Sequence, residues 1–100
     1  MTPKSPAAPS SGQVLQPSPD VLWRRLDDEV ILMQLRTDRI FSLNHTGARF
    51  WELIVAGMDL ESIREALEDE FDVSPEVLAA EVEEILALLI SEQLLIPQES

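Results

Sequence analysis

Within the stretch "FSLNHTGARFWELI", Phe41 to Ile54, the spacing of apolar residues changes from every second position to helical spacing over four residues. Before the break, "RIFSL" (Arg39 to Leu43) alternates, with Phe41 and Leu43 on one face and Ile40 and Ser42 on the other. After it, Phe50, Trp51, Ile54 and Val55 recur at helical spacing, and Asn44 or Thr46 is placed to cap the helix by accepting a backbone N–H bond. Gly47 allows close backbone packing or a tight turn at the junction, and Gly57 is a suitable helix stop. A strand that runs directly into a helix sets the direction of the helix layer relative to the sheet.

The flanking sequence supplies the remaining elements. "VLWRRL" (Val21 to Leu26) is β-prone and "LDDE" after it reads as a turn. "EVILMQL" (Glu29 to Leu35) is almost continuously apolar, as expected of a strand with neighbours on both edges. With Arg39 to Leu43 these make three antiparallel strands in meander order. Asp59 caps a second helix whose stripe is Leu60, Ile63, Leu67 and Phe71. "VSPEV" starts a third, with Ser74 as cap and Pro75 at the first helical position, running to about Ser91. "LLIP" is a short extended end to the fold. The expected class is therefore α+β and winged-helix-like: a three-stranded antiparallel sheet followed by three helices. The Pro-, Ser- and Ala-rich residues 1–19 bury too little apolar surface to order themselves and are expected to form a flexible tail, leaving 20–97 as the domain. Within that tail only Val14 and Leu15 suggest local docking.

Charge and composition exclude several functions. From Asp59 onward the chain has thirteen acids and one base, Arg64, which accounts for most of the asymmetry in a net charge of −12. Such a surface repels phosphate, and from Ser74 to Ser100 there is no basic residue to contact it. A winged-helix DNA-binding regulator is thus disfavoured despite the layout, and nucleic acid is not an expected partner. There is no cysteine, and no Gly-rich phosphate loop, nucleophile elbow or zinc spacing. The single histidine, His45, sits at a helix start, where a polar surface or capping role is the ordinary one. The carboxylates of Glu68 to Asp72 and of Glu81, Glu83 and Glu84 lie opposite apolar residues, the pattern of a solvated face and not of an acid–base pair. No catalytic residue, cofactor or metal is expected, and the chain is read as a non-enzyme. Without an apolar signal region or a run of membrane-spanning length, it is expected to be cytoplasmic with no membrane partner.

Trp23 and Trp51 both lie within apolar patterns and are read as core residues, Trp23 alternatively at the sheet margin. In a meander Arg39 to Leu43 lies at the sheet edge, with one row of backbone groups unpaired. This edge has no proline; Arg36 and Arg39 are its main guards against unwanted pairing. An extended peptide could add there. The last helix carries more apolar residues than one core stripe requires, so it could form the facing wall; the surplus could equally pack internally or make a homodimer.

The order of elements and the junction phrase resemble the PqqD-like family, the RiPP recognition elements. The residues that carry the resemblance are Leu43-Asn44, Thr46-Gly47, Phe50-Trp51, Leu53-Ile54 and Ala56-Gly57 before the second helix, over about Val21 to Pro97. The resemblance implies a non-catalytic module that binds the leader of a ribosomally made precursor peptide as an added strand at the third predicted strand, against the third helix. It implies presentation of the precursor to a leader peptidase and a cyclase, as in lasso-peptide pathways, or alternatively to a radical-SAM enzyme. The residues expected to contact the leader are Arg36, Arg39, Ile40, Phe41, Ser42 and Leu43 on the strand side. Val77, Glu81, Glu84, Ile85 and Leu88 are expected on the helix side. Phe41 and Leu43 divide core and groove duty with Ile40 and Ser42, and the alternation leaves open which pair takes which. Arg36 and Arg39 are expected to steer acidic leader residues, and Glu81 and Glu84 to meet basic ones.

Overall fold

The change of period at Leu43 is realised as a strand that passes into a helix through one residue, Asn44. A computed structural model describes residues 14–98. The elements run β1 (Leu15–Pro17), β2 (Val21–Leu26), β3 (Glu29–Gln34), β4 (Arg39–Leu43), α1 (His45–Val55), α2 (Leu60–Glu70), α3 (Pro75–Ser91) and β5 (Leu95–Pro97). Strands β2, β3 and β4 form the antiparallel meander with β3 in the middle. The architecture is α+β, a three-stranded sheet followed by three helices. Asp27 and Asp38 take left-handed backbone angles in the two tight connections, a conformation that aspartate tolerates better than most residues.

Register divides the sheet into two unlike faces. Leu32 lies opposite Trp23 on one side and Phe41 on the other, while Met33 lies opposite Leu22 and Ile40. Side chains alternate along each strand. Val30, Leu32, Gln34, Phe41 and Leu43 therefore face the helices, where Val30, Leu32 and Leu43 are buried in the core. Leu22, Ile31, Met33, Ile40 and Ser42 face away. The core is completed by Phe50, Trp51 and Ile54 of α1, Leu60, Ile63 and Leu67 of α2, and Leu78, Val82 and Leu89 of α3.

The junction itself is held by two devices. The Asn44 side chain accepts a bond from the Gly47 N–H at 3.0 Å, satisfying one of the helix's free donors. A Cβ on Gly47 would lie 3.1 Å from the Leu43 Cβ, so glycine lets the first turn of α1 sit tight against the end of β4. Gly57, at φ +91°, ends the same helix. Asp59 and Ser74 cap α2 and α3 by accepting from Ser62 and Val77 N–H groups. Each cap contributes about 1 kcal/mol.

Residues 1–19 require a correction. Residues 1–13 lie outside the described region, but the domain begins well before Asp20. β1 pairs antiparallel with β5, the Ser18 N–H donates to the Leu94 carbonyl at 3.0 Å, and Leu15 is buried in the core. The low apolar content of the segment does not by itself predict order. What orders it is one leucine in a core position, whose burial contributes about 1.5–3 kcal/mol, together with backbone bonds to a strand eighty residues away in sequence. Trp51 is fully buried in α1, and Trp23 meets it edge-on from the sheet margin at a ring-centroid distance of 6.1 Å.

Candidate functional site

β4 is an edge strand. Its inner side pairs with β3, and among the described residues no strand lies along its outer side. The segment that could have covered it, β1, is engaged with β5 instead. A row of backbone N–H and C=O groups is thus left to solvent.

Helix α3, which is bridged to β4 at its C-terminal end, keeps part of its apolar surface uncovered. It packs chiefly on α2, α1 and β5. Leu78, Val82 and Leu89 take the core positions, whereas Val77 is 57% and Leu88 38% exposed. At about 100° per residue, Val77, Glu81, Glu84, Ile85 and Leu88 fall on one side of the helix, next to the buried stripe. Glu81 and Ile85 are half-buried and Glu84 is exposed. Glu92, at the end of the helix, continues this side and shows where it points. Its carboxylate accepts two bonds from the Arg39 guanidinium of β4, at 2.8 and 3.0 Å. The Arg39–Glu92 pair thus joins the start of β4 to the end of α3 on this side of the helix.

The structure places the expected strand-side residues on both faces of the sheet. Leu43 is a core residue and Phe41 is half-buried on the helix side, with the Arg39 guanidinium 5.3 Å from its ring centroid. Ile40 and Ser42 are on the far face, Ile40 being 62% exposed and the Ser42 hydroxyl donating to Glu29 at 3.1 Å. Phe41, not Ile40 or Ser42, thus stands on the α3 side of β4. Arg36 lies in the β3–β4 connection, 3.9 Å from the Asp20 carboxylate.

Two further residues shape this end of the site. Glu92 was legible, since it lies one helical turn beyond Leu88 on the same side. Gln34 was not. It is buried, donates to the Gln93 carbonyl at 2.7 Å and accepts from the Arg36 N–H at 3.0 Å. It thereby ties the sheet to the turn after α3. A polar residue closing an apolar strand reads as exposed until its partner, fifty-nine positions away, is known.

Titrating groups with shifted behaviour lie elsewhere. The Arg49 guanidinium hydrogen-bonds the Glu70 carboxylate at 2.8 Å, lowering the Glu70 pKa and raising its own. Hydrogen bonds from Ser62 hold the Asp59 carboxyl below its usual value, as its capping role requires. His45 meets the Phe71 ring edge-on at 5.1 Å. The Arg49–Glu70 and His45–Phe71 contacts join α1 to α2, and the Asp59 bonds cap α2.

The family model described as "Coenzyme PQQ synthesis protein D (PqqD)" matches residues 29–95. That span covers β3 to the start of β5, including the edge strand and all three helices. The chain belongs to the PqqD family.

Two solved structures share its fold. "TbiB1 in Complex with the TbiA(beta) Leader Peptide" aligns with a TM-score of 0.76 and 29% identity, over 85% of this chain and 99% of that one. "Lasso peptide synthetase B1 complexed with the leader peptide" aligns with a TM-score of 0.73 and 17% identity, over 84% of this chain and 99% of that one. No curated protein sequence matches the chain significantly. Both of these structures contain a leader peptide.

Proposed function

We propose that this chain binds the leader segment of a ribosomally synthesised precursor peptide by strand addition to β4, with alternate leader side chains lying against α3. The observation that carries this reading is the unpaired outer edge of β4 beside the uncovered side of α3 that holds Val77, Glu81, Ile85 and Leu88. Backbone bonds to an edge supply affinity without reading sequence, and side chains entering the groove supply selectivity. Phe41, Ile85 and Leu88 offer apolar contact there. Glu81 and Glu84 favour basic leader residues, and Arg36 and Arg39 favour acidic ones. Arg39 is held by Glu92, so an acidic leader residue would have to compete with that carboxylate.

In this role the chain performs no chemistry. It holds the leader while a separate enzyme acts on the remainder of the precursor. The solved relatives with bound leader peptides support a leader peptidase and cyclase of the lasso-peptide type as those enzymes, ahead of a radical-SAM enzyme. The protein would act in the cytoplasm, where precursors are made; among the described residues no helix is long and apolar enough to cross a membrane.

Calorimetric titration of the protein with a synthetic leader from a precursor encoded beside it tests the proposal. Saturable binding at one leader per chain is expected, and no saturable heat with any such leader would refute it. Charge reversal at Arg39 tests the electrostatic part: leader affinity unaffected at every salt concentration would remove the arginines from the recognition scheme.

A further inference from the structure

Gln34 and Arg39 are cross-strand partners on the helix side of the sheet, and both reach the turn that follows α3. Gln34 donates to the Gln93 carbonyl at 2.7 Å, and the Arg39 guanidinium donates to both carboxylate oxygens of Glu92. The two ties are unlike. Gln34 is buried, whereas the Arg39 side chain is 59% exposed. The turn is secured without Arg39, because the Leu94 N–H donates to the Leu89 carbonyl at 2.8 Å and the Ser18 N–H to the Leu94 carbonyl at 3.0 Å. An exposed ion pair adds little to such an arrangement.

What the pair does beyond bracing is to fix where the guanidinium lies. Its carbon stands 5.3 Å from the centroid of the Phe41 ring, within cation–π range. Phe41 is the half-buried aromatic of the edge strand, two residues along from Arg39 on the same face. The free chain thus covers its own apolar contact with a charged side chain, and Glu92 keeps that cover in place. Glu92 is itself held steady, since Gln34 grips the residue next to it.

We propose that Arg39 is a lid over Phe41 with Glu92 as its latch, and that the two select leaders in which an acidic residue follows an apolar one two places later. This rests on the leader-binding reading above. Side chains of an added strand alternate between faces, so those beside Phe41 and Arg39 are two apart in the leader. In antiparallel addition, the arrangement that continues this sheet, the one beside Phe41 comes first. A carboxylate beside Arg39 takes the guanidinium from Glu92, exchanging one charge-assisted pair for another. The guanidinium leaves the ring as it follows, and the apolar leader side chain takes its place on Phe41. A leader with no acid there breaks the latch without a replacement. Glu92 therefore opposes every leader, and Arg39 discriminates among them.

The test uses two fluorescein-labelled synthetic peptides. One is the leader of a precursor encoded beside this chain, and the other is the same leader with the acidic residue of that pattern replaced by its amide. Anisotropy titrations read affinity, and the wild-type chain is expected to prefer the acidic leader about tenfold. Glu92→Ala opens the latch, so both peptides are expected to bind about threefold more tightly, with a melting temperature no higher than that of wild type. Glu92→Gln, which keeps the size of the side chain, should show the same gain. Removing a residue that only braced the fold does not raise affinity, and removing one that only repelled the acidic leader leaves the amide leader unchanged. Arg39→Gln takes away lid and discrimination together: the amide leader binds more tightly than to wild type, and the preference between the peptides disappears. Unchanged or weaker binding of the amide leader by both Glu92 variants overturns the latch and leaves leader binding intact. A leader that binds saturably and has no acidic residue two places after an apolar one overturns the selection in the same way. Failure of the wild-type chain to bind either peptide overturns the leader-binding reading and this inference with it.

Discussion

The sheet has two edges, and only one of them resembles a receptor. Along β2, long side chains reach across to the helix layer and close the margin: Arg25 pairs with Glu52 of α1, Glu52 with Arg49, and Arg49 with Glu70 of α2, while Trp23 leans on Trp51. Along β4, one such bridge exists among the described residues, Arg39 to Glu92, and it stands at the end of the strand. Beyond it the helix beside β4 keeps Val77 and Leu88 free of the core. Among the described residues, both strands have an unpaired edge. What distinguishes β4 is that the helix bridged to it at Arg39 keeps Val77 and Leu88 exposed.

Breaking that distinction should have its largest effect on the ligand's backbone. N-methylating alternate residues of the leader removes the donors aimed at β4, and losing two bonds of about 1 kcal/mol each lowers affinity on the order of thirtyfold. Methylating the intervening residues should leave affinity, read by anisotropy, nearly unchanged; equal losses from both sets would argue against strand addition. Next in size, Leu88→Glu on α3 should weaken leader binding about tenfold with little change in melting temperature, because this side of the helix lies outside the core. At the opposite edge, Trp23→Ala should do the reverse. Thermal unfolding should show a loss of about 1–2 kcal/mol from the partly exposed ring and its contact with Trp51, with leader affinity intact. The smallest effect is at Arg49. Its bond holds the folded Glu70 pKa below the unfolded value, so the stability it contributes is full above the usual carboxylate range and is lost as pH falls through the folded value. Arg49→Gln should cost less than about 1 kcal/mol at neutral pH, since both groups are partly exposed, and denaturant titrations should show the gap to wild type closing in acid.

Much of this geometry was legible in the sequence because it is set locally. Asn44, Asp59 and Ser74 announce helix starts through their own chemistry, and Gly57 announces an end. The alternation in Arg39 to Leu43 marks a strand, and helical spacing shows that α3 carries more apolar residues than its core stripe uses. What sequence could not supply was decided by residues distant along the chain. Leu15 reads as part of a polar tail until β5 is brought beside it. Gln34 reads as a surface residue until Gln93 arrives. The face assignment on β4 was symmetric from the sequence, since Phe41 and Ile40 are both apolar, and it was broken only by the position of the helices. The PqqD resemblance pointed to the edge and the helix, but not to which side chains of the edge stand on the helix side.

The pairing of β1 with β5 also fixes where the chain enters and leaves the domain. The Gln98 N–H donates to the Val14 carbonyl at 3.0 Å, so both ends depart from one corner. A flexible tether attached at either end would therefore start from the same point and sweep nearly the same volume around the peptide site. An enzyme fused before Val14 and one fused after Gln98 would see the bound precursor at similar effective concentration, making the order of modules along an engineered chain a matter of linker length alone.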